Sequence, residues 1–414
     1  VTCDVTVVAD DLTGANDTAV QFARQGWATL LTLSPDSDPA GKGVLALSTD
    51  ARSAGDDAVR ITAEAVTHLL TGGVEHLYVK IDSTMRGSVT AQVDGALRAW
   101  SAVHEDAFAV VCPAYPGMGR TVVDGTALVD GERLESTPAG RDPVTPVRSS
   151  TLADLLPGST HVQLPDTRDP ELLASELAGH GRLSRVLTLD AQNDEELTLI
   201  AQALARLGRK VVPVGSAGLA NALATTWRPA GGSRDLGGNP DSARTGPVVV
   251  LVTSLHKVAR AQEERLRESG GSDFLHLAPD LDDLLDEESF ASWCTARFPP
   301  GNLPAVVLVT APDERPDKGT PVGNTVAQRL ADLVARLHAH QPASAVIVTG
   351  GDGARALVDR WECTGIAVRD AVCEGIPSGF LVGGAVDGLR VITKAGGFGA
   401  SDALVSAVRH ADTC

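Results

Sequence analysis

Along the first half of the chain, short runs of β-branched residues alternate with longer stretches whose apolar positions recur with helical spacing. Val5–Val8, Thr29–Leu33, Val44–Leu47, His76–Lys80 and Phe108–Cys112 read as strands, with helices near Asn16–Gln25, Asp57–Leu70 and Thr90–Trp100 between some of them. Such alternation predicts βαβ units, because a parallel strand pair needs a crossover long enough to hold a helix. The periodicity stops at Arg228–Gly246, reading RPAGGSRDLGGNPDSARTG, where glycine, proline and small polar residues leave no apolar face. It then resumes, with strands at Val248–Val252, Ala305–Thr310, Ala345–Thr349 and Leu389–Thr393. Helices follow near Ala259–Glu268, Thr325–His338, Ala354–Arg360 and Asp402–His410. The expected fold class is α/β: one domain over 1–227, a linker over 228–246 and a second domain over 247–414, each with a mainly parallel sheet. No repeat with the period of a solenoid or propeller is present.

Composition narrows the partners. The 414 residues carry 35 basic and 53 acidic side chains, a net charge of −18, which disfavours any broad electrostatic footprint for nucleic acid or an anionic membrane. A bound anion therefore needs local positive charge. The six cysteines, Cys3, Cys112, Cys294, Cys363, Cys373 and Cys414, form no C-x-x-C pair, and neither a membrane span nor a secretory signal is legible. A reduced, cytoplasmic setting is the expectation. Two eye-catching clusters have plain explanations. In Asp280–Glu288 (DLDDLLDEE), Leu281, Leu284 and Leu285 have the spacing of a buried stripe with the acids turned outward, and His338 and His340 are two apart on a helix and face different sides.

Open parallel sheets bind ligands beyond the carboxyl ends of their strands, so polar residues just after each strand carry the most information. The first strand runs into Asp10-Asp11-Leu12-Thr13-Gly14, the third into Ser48-Thr49-Asp50-Ala51-Arg52, and the fourth through Lys80 into Ile81-Asp82-Ser83-Thr84-Met85-Arg86. Adjacent carboxylates suggest acid/base or metal chemistry, with helix capping as the alternative for Asp10 and Asp11. Arg52, Lys80 and Arg86 add cations, and an arginine fork fits a small carboxylate, so a hydroxy-acid pocket is expected there. In the second half, Gly350-Gly351-Asp352-Gly353 and Lys394-Ala395-Gly396-Gly397-Phe398-Gly399 each follow a strand and precede a helix. Both look like phosphate loops, and Ser254, after Val248–Val252, adds to the same edge. The common G-x-x-x-x-G-K-[ST] loop is absent, whereas Gly351–Ala356 satisfies G-x-G-x-x-A, which keeps an NAD(P)-dependent oxidoreductase as an alternative.

These residues lie in segments that resemble a known family: VVADDLTGANDTAVQFA at the start, KIDSTMRG at 80–87, CPAYPGMGRTVVDG at 112–125, RDPVTPVRSS at 141–150, GSAGLA at 215–220, TGGDGARAL at 349–357 and TKAGGFG at 393–399. The chain is similar to the four-carbon acid sugar kinases, bacterial enzymes that use ATP to phosphorylate threonate, erythronate or 3-oxo-tetronate at the terminal hydroxyl. The resemblance implies an acid-sugar domain followed by a nucleotide domain, with the active-site cleft between them. It implies sugar-acid contacts at Asp11, Arg52, Lys80, Ile81, Asp82 and Ser83, and ATP contacts at Ser254, Gly350, Gly351, Asp352, Gly353 and Gly397. Asp10, Arg86, Lys394 and Gly396 join these sets on charge and loop position. Two departures stand out: Thr253-Ser254-Leu255-His256 replaces a Gly-Ser-Cys-Ser type segment, and Gly350–Gly353 ends in glycine where relatives often have threonine. The implied reaction is in-line transfer from Mg-ATP to the C4 hydroxyl, with Asp11 or Asp82 as base and no assigned Mg²⁺ ligands. A non-catalytic sugar-acid sensor is the other alternative, and a homo-oligomer is left open.

Overall fold

The computed structural model describes residues 4–32, 43–142, 144–227, 245–313, 321–373 and 375–413. The chain divides into two units, Val1–Asp235 and Leu236–Cys414. Most of the expected linker 228–246, together with Cys3 and Cys414, lies outside the described residues.

The first unit is built on strands β1 (Val5–Ala9), β2 (Thr29–Thr32), β3 (Val44–Ser48), β4 (His76–Lys80) and β5 (Phe108–Cys112). After these come β6 (Arg120–Val123), β7 (Thr126–Val129), β8 (Glu132–Arg133), β9 (Thr160–Val162), β10 (Val186–Leu189) and β11 (Val211–Gly215). Its main sheet has the order β2-β3-β1-β4-β11-β5-β10-β9, and every pairing is parallel. Strands β1, β3 and β5 are buried along their whole length, which is why they read as mainly apolar runs instead of alternating ones, and β11, which periodicity does not assign, is buried throughout as well. Strands β6, β7 and β8 form a separate antiparallel sheet. They lie in the interval 113–227, to which periodicity assigns no element.

The second unit contains β12 (Val248–Val252), β13 (Phe274–Leu277), β14 (Val306–Thr310), β15 (Ala345–Thr349), β16 (Gly365–Cys373), β17 (Ile376–Val382) and β18 (Arg390–Lys394). The order is β13-β14-β12-β15-β18-β17-β16, parallel from β13 to β18 and antiparallel through β17 and β16. The antiparallel pair is an addition to the expected pattern. Pro377, Ser378 and Gly379 interrupt the β-branched run of β17, although the strand is buried throughout.

Several helices start earlier than their apolar stripes suggest, whereas those at Ala58–Leu70 and Ala403–Thr413 start one residue later than expected. The first spans Leu12–Arg24, because the Asp11 carboxylate accepts from the Gly14 N–H at 2.7 Å and so begins the helix before the first apolar repeat. The leucine stripe in the acidic run needs correction: Leu281–Leu285 is a short helix in which Leu284 is buried but Leu285 is 43% exposed. Among the described residues no group of acids, histidines and cysteines is arranged to hold a metal, and no helix is long and apolar enough to cross a membrane. Among the described residues, Cys112, Cys294, Cys363 and Cys373 form no disulfide.

Behind the sheet, the helices Ala58–Leu70 and Val89–Trp100 approach at Gly95, where a Cβ would lie 2.4 Å from the Val59 carbonyl oxygen. Backbone cannot yield there as a side chain can. Gly95→Val should therefore lower the unfolding free energy by about 1–3 kcal/mol, measured by denaturant titration. An unchanged midpoint would show that the two helices can part without cost.

Candidate active site

In the first unit, β1 has β3 on one side and β4 on the other, so the chain reverses its direction of growth beside β1. A crevice opens beyond the strand ends at such a point. Asp10 and Asp11 follow β1, Arg52 lies in the turn after β3, and the loop from Lys80 to Gly87 follows β4. The loops are laced together by backbone: Arg52 N–H donates to the Asp10 carbonyl (3.2 Å), Asp10 N–H to the Lys80 carbonyl (3.2 Å), and Ser88 N–H to the Arg52 carbonyl (2.9 Å). Gly87 permits the last contact, since with φ at +89° a Cβ there would sit 2.4 Å from the same Arg52 oxygen.

The side chains form one chain of charge. Arg52 Nε and Nη2 donate to the two oxygens of Asp10 at 2.6 and 3.0 Å, and Nη1 pairs with Asp11 Oδ2 at 2.6 Å. Asp82 Oδ1 is 3.7 Å from Arg52 Nη2, and its two oxygens accept from Arg86 Nε and Nη2 at 2.9 and 2.8 Å. Asp82 also accepts from the Thr84 hydroxyl. Arg86 reaches on to Asp142, 3.2 Å away. The sequence reading gives the fork of Arg52 to a substrate carboxylate; in the structure it faces Asp10 and Asp11.

Burial separates the three carboxylates. The Asp10 side chain is fully buried, which pushes it up to about 6 against the pull of Arg52 and with the push of Asp11. Asp82 is also buried, but hydrogen bonds from Arg86 and Thr84 and the charge of Arg52 outweigh desolvation and hold it well below the usual carboxylate range. Burial likewise opposes the charge on Arg52, yet Asp10, Asp11 and Asp82 together hold it firmly protonated. Asp11 is the most open of the set, with 22% of its side chain exposed.

Lys80 stands apart. It is 5% exposed, its Nζ donates to the Ile81 carbonyl at 2.9 Å, and it forms no ion pair among the described residues. Register puts Ser48 and Lys80 on either side of Ala9 on one face of the sheet. The Ser48 hydroxyl there is buried without a hydrogen-bond partner among the described residues. Gly14 makes room for the ammonium, because a Cβ at that position would lie 2.7 Å from Lys80 Nζ. Ile81 is buried and ties its N–H to the Gly215 carbonyl (2.9 Å), so it can offer a ligand only backbone. Ser83 is partly exposed.

The second unit repeats the device with different residues. Strand β12 has β14 and β15 on its two sides, and Thr253 N–H donates to the Thr349 carbonyl (2.9 Å) while Gly350 N–H donates to the Lys394 carbonyl (2.9 Å). Gly350, at φ +115°, caps the helix Gly351–Arg360, whose first turn has no side-chain cap. Uncapped N–H groups at such a turn suit an anion. A Cβ at Gly396 would fall 1.9 Å from Ser254 Oγ, and one at Gly397 would fall 3.3 Å from the His256 ring, so Ser254, Gly396 and Gly397 adjoin. Lys394 is 2% exposed, donates to the carbonyls of Ala395 (2.7 Å) and Gly396 (3.4 Å), and has its pKa lowered by burial to about 8.

Sequence reasoning overlooked two residues. Asp142 anchors Arg86 from a segment that was marked only as a motif. Thr253 explains both departures noted above: a Cβ at Gly353 would lie 2.6 Å from Thr253 Cγ2 and 2.7 Å from its Oγ1. The branched side chain at 253 fills the space that a side chain at 353 would need.

Comparison with known proteins finds a family model for each half of the chain. A sugar-binding N-terminal domain model covers residues 5–223, and a nucleotide-binding C-terminal domain model covers residues 249–404. Over 97% of this chain and 96% of its own length, a D-threonate kinase of Bordetella bronchiseptica is 41% identical. A D-erythronate kinase of Heliobacterium modesticaldum is 29% identical, covering 98% of this chain and 97% of its own. A crystal structure of a Bordetella bronchiseptica protein of unknown function, a domain-swapped dimer with bound citrate, is 39% identical over 98% of both chains with a TM-score of 0.50. The family models thus define a protein with a sugar-binding N-terminal half and a nucleotide-binding C-terminal half. The chain belongs to the four-carbon acid sugar kinase family.

Two measurements test the geometry. Gly353→Thr alone should cost about 1–3 kcal/mol of stability by overpacking against Thr253, and Thr253→Gly in the same chain should restore most of it; simple addition of the two effects would disprove the shared space. Asp10 bears on pH. Its native pKa is raised, so its contribution to stability is greatest below the ordinary carboxylate value and declines as pH rises to about 6. The difference in unfolding free energy between the wild type and Asp10→Asn should fall across that window and level off above it. A flat difference would place Asp10 in contact with solvent.

Proposed function

We propose that the chain is an ATP-dependent kinase that phosphorylates the C4 hydroxyl of a four-carbon acid sugar, with D-threonate as the first substrate to test. Two of its relatives, 41% and 30% identical, are D-threonate kinases. The carrying observation is that each unit holds one buried lysine at the carboxyl edge of its sheet, Lys80 and Lys394, with no ion pair among the described residues. A desolvated ammonium with no carboxylate in direct contact can take an anion, and the charge of Lys80 is shared only at longer range with Asp10. In the first unit that anion is the C1 carboxylate, held by Lys80 and the backbone and hydroxyl of Ser83. In the second it is the triphosphate, gathered by Lys394, Ser254 and the N–H groups of Gly351–Gly353 and Gly396–Gly397, with Gly350 shaping the loop while its own N–H is held by the Lys394 carbonyl. Citrate on the Bordetella protein supports a site that accepts hydroxylated carboxylic acids.

Phosphoryl transfer needs positioning and charge neutralisation more than covalent chemistry. Asp11 is the better base of the two expected candidates. The lone pairs of Asp82 are occupied by Arg86 and Thr84, whereas Asp11 is partly open and is held by Arg52 and the Gly14 N–H. Asp10 keeps Arg52 in place. Asp352, the carboxylate of the glycine loop, would hold Mg²⁺ together with phosphate oxygens, in keeping with a cation that uses few protein ligands. That ion would neutralise charge on the phosphates.

An ADP-release assay across threonate, erythronate and 3-oxo-tetronate isomers tests the reading. ADP should appear only with one of these acids. Lys80→Met should raise the KM for the acid at least about tenfold with the KM for ATP nearly unchanged, and Asp11→Asn should lower kcat by about 10²–10⁴-fold. ADP release indifferent to every acid would overturn the assignment.

A further inference from the structure

The helix Lys257–Ser269 turns one face inward, with Ala259, Gln262, Glu263 and Leu266 buried along it, Glu263 being paired with Arg260 at 2.7 Å. Gln262, 0% exposed, is costly to bury unless its polar atoms are hydrogen-bonded. The two N–H groups on its Nε2 are shared among three successive carbonyls of the loop between β18 and the last helix: Phe398 (3.0 Å), Gly399 (3.0 Å) and Ala400 (2.7 Å). Its Oε1 is buried without a hydrogen-bond partner among the described residues. The cost of that orphaned acceptor is borne to keep the amide N–H groups on the loop.

The loop so held contains Gly396 and Gly397. Gly396 is packed on the Ser254 hydroxyl and Gly397 lies against His256. Ser254 and His256 immediately precede the helix that carries Gln262. One side chain therefore fastens the β18 loop to the element that follows β12, which are two of the three segments of the phosphate cradle. Few other residues could do so. Glutamate presents acceptors to acceptors, methionine leaves the carbonyls unpartnered, and asparagine is one methylene short.

We propose that Gln262 is a positioning residue for the nucleotide, fixing Gly396–Gly397 against Ser254 so that their N–H groups meet the phosphates already arranged. This rests on the kinase reading for what is bound, but the order of the loop does not depend on it. The test uses the full chain with Gln262→Met and Gln262→Glu. Hydrogen–deuterium exchange without ligand should speed up at least about tenfold in peptides spanning 395–403, whose internal bonds include Phe398 N–H to Ala395 O and Ala403 N–H to Ala400 O. The KM for ATP, and the Kd for a non-hydrolysable ATP analogue, should rise at least about tenfold in both variants, with the KM for the acid within about twofold of wild type. Unchanged exchange in that loop, equal losses for both substrates, or global unfolding of both variants would overturn the proposal. If the wild type binds no ATP analogue, the kinase reading fails instead, and the exchange result alone decides whether Gln262 orders the loop.

Discussion

The guanidinium of Arg52 holds the first site together. Two adjacent carboxylates at the end of a buried strand would repel each other out of position in a medium that screens poorly. The fork between Asp10 and Asp11 converts that repulsion into a fixed geometry, and Asp82 draws the next loop into the same array. Removing one partner would leave charge buried and uncompensated, which typically costs more than the pair itself contributes. The array also divides labour: Asp10 and Asp82 are held by cations away from solvent, while Asp11 faces outward.

The second site depends on absent side chains instead of charge. Gly350, Gly353 and Gly396 stand where a Cβ would collide with Thr253 or Ser254. Strand ends can then approach until backbone N–H groups crowd together, which makes a local positive surface in a protein of net charge −18. The buried amine of Lys394, easier to deprotonate than an exposed lysine, adds charge that an incoming phosphate would reinforce.

Much of this was legible in the chain. Strands β5, β12 and β15 are buried throughout and read as nearly unbroken apolar runs with the observed ends, and β4 has the expected ends as well. Site loops were legible for the same reason, because polar residues that follow such runs must sit at the sheet's edge. What periodicity hides is partnership. The 142 carboxylate reaches Arg86 across a long separation, and Thr253 shares space with a residue a hundred positions on, so neither relation has a local signature. Capping residues conceal helix starts, as Asp11 does for the first helix. Pro377 and Gly379 disguise a buried strand whose neighbours, not its composition, make it one.

Met85 illustrates how the loop after β4 keeps its shape. It is a non-glycine residue at φ +58°, only 4% exposed. A left-handed backbone costs an ordinary residue about 1–2 kcal/mol, and burial of the thioether side chain returns about 1.5–3 kcal/mol. The bend between Asp82 and Arg86 is thus clamped by an oily plug in addition to the local hydrogen bonds that the Asp82 carbonyl and carboxylate accept from the Met85, Thr84 and Arg86 N–H groups. Glycine here would relax the hinge and pull the plug in the same stroke, so the direction in which Arg86 points is governed by a residue that never meets solvent or solute.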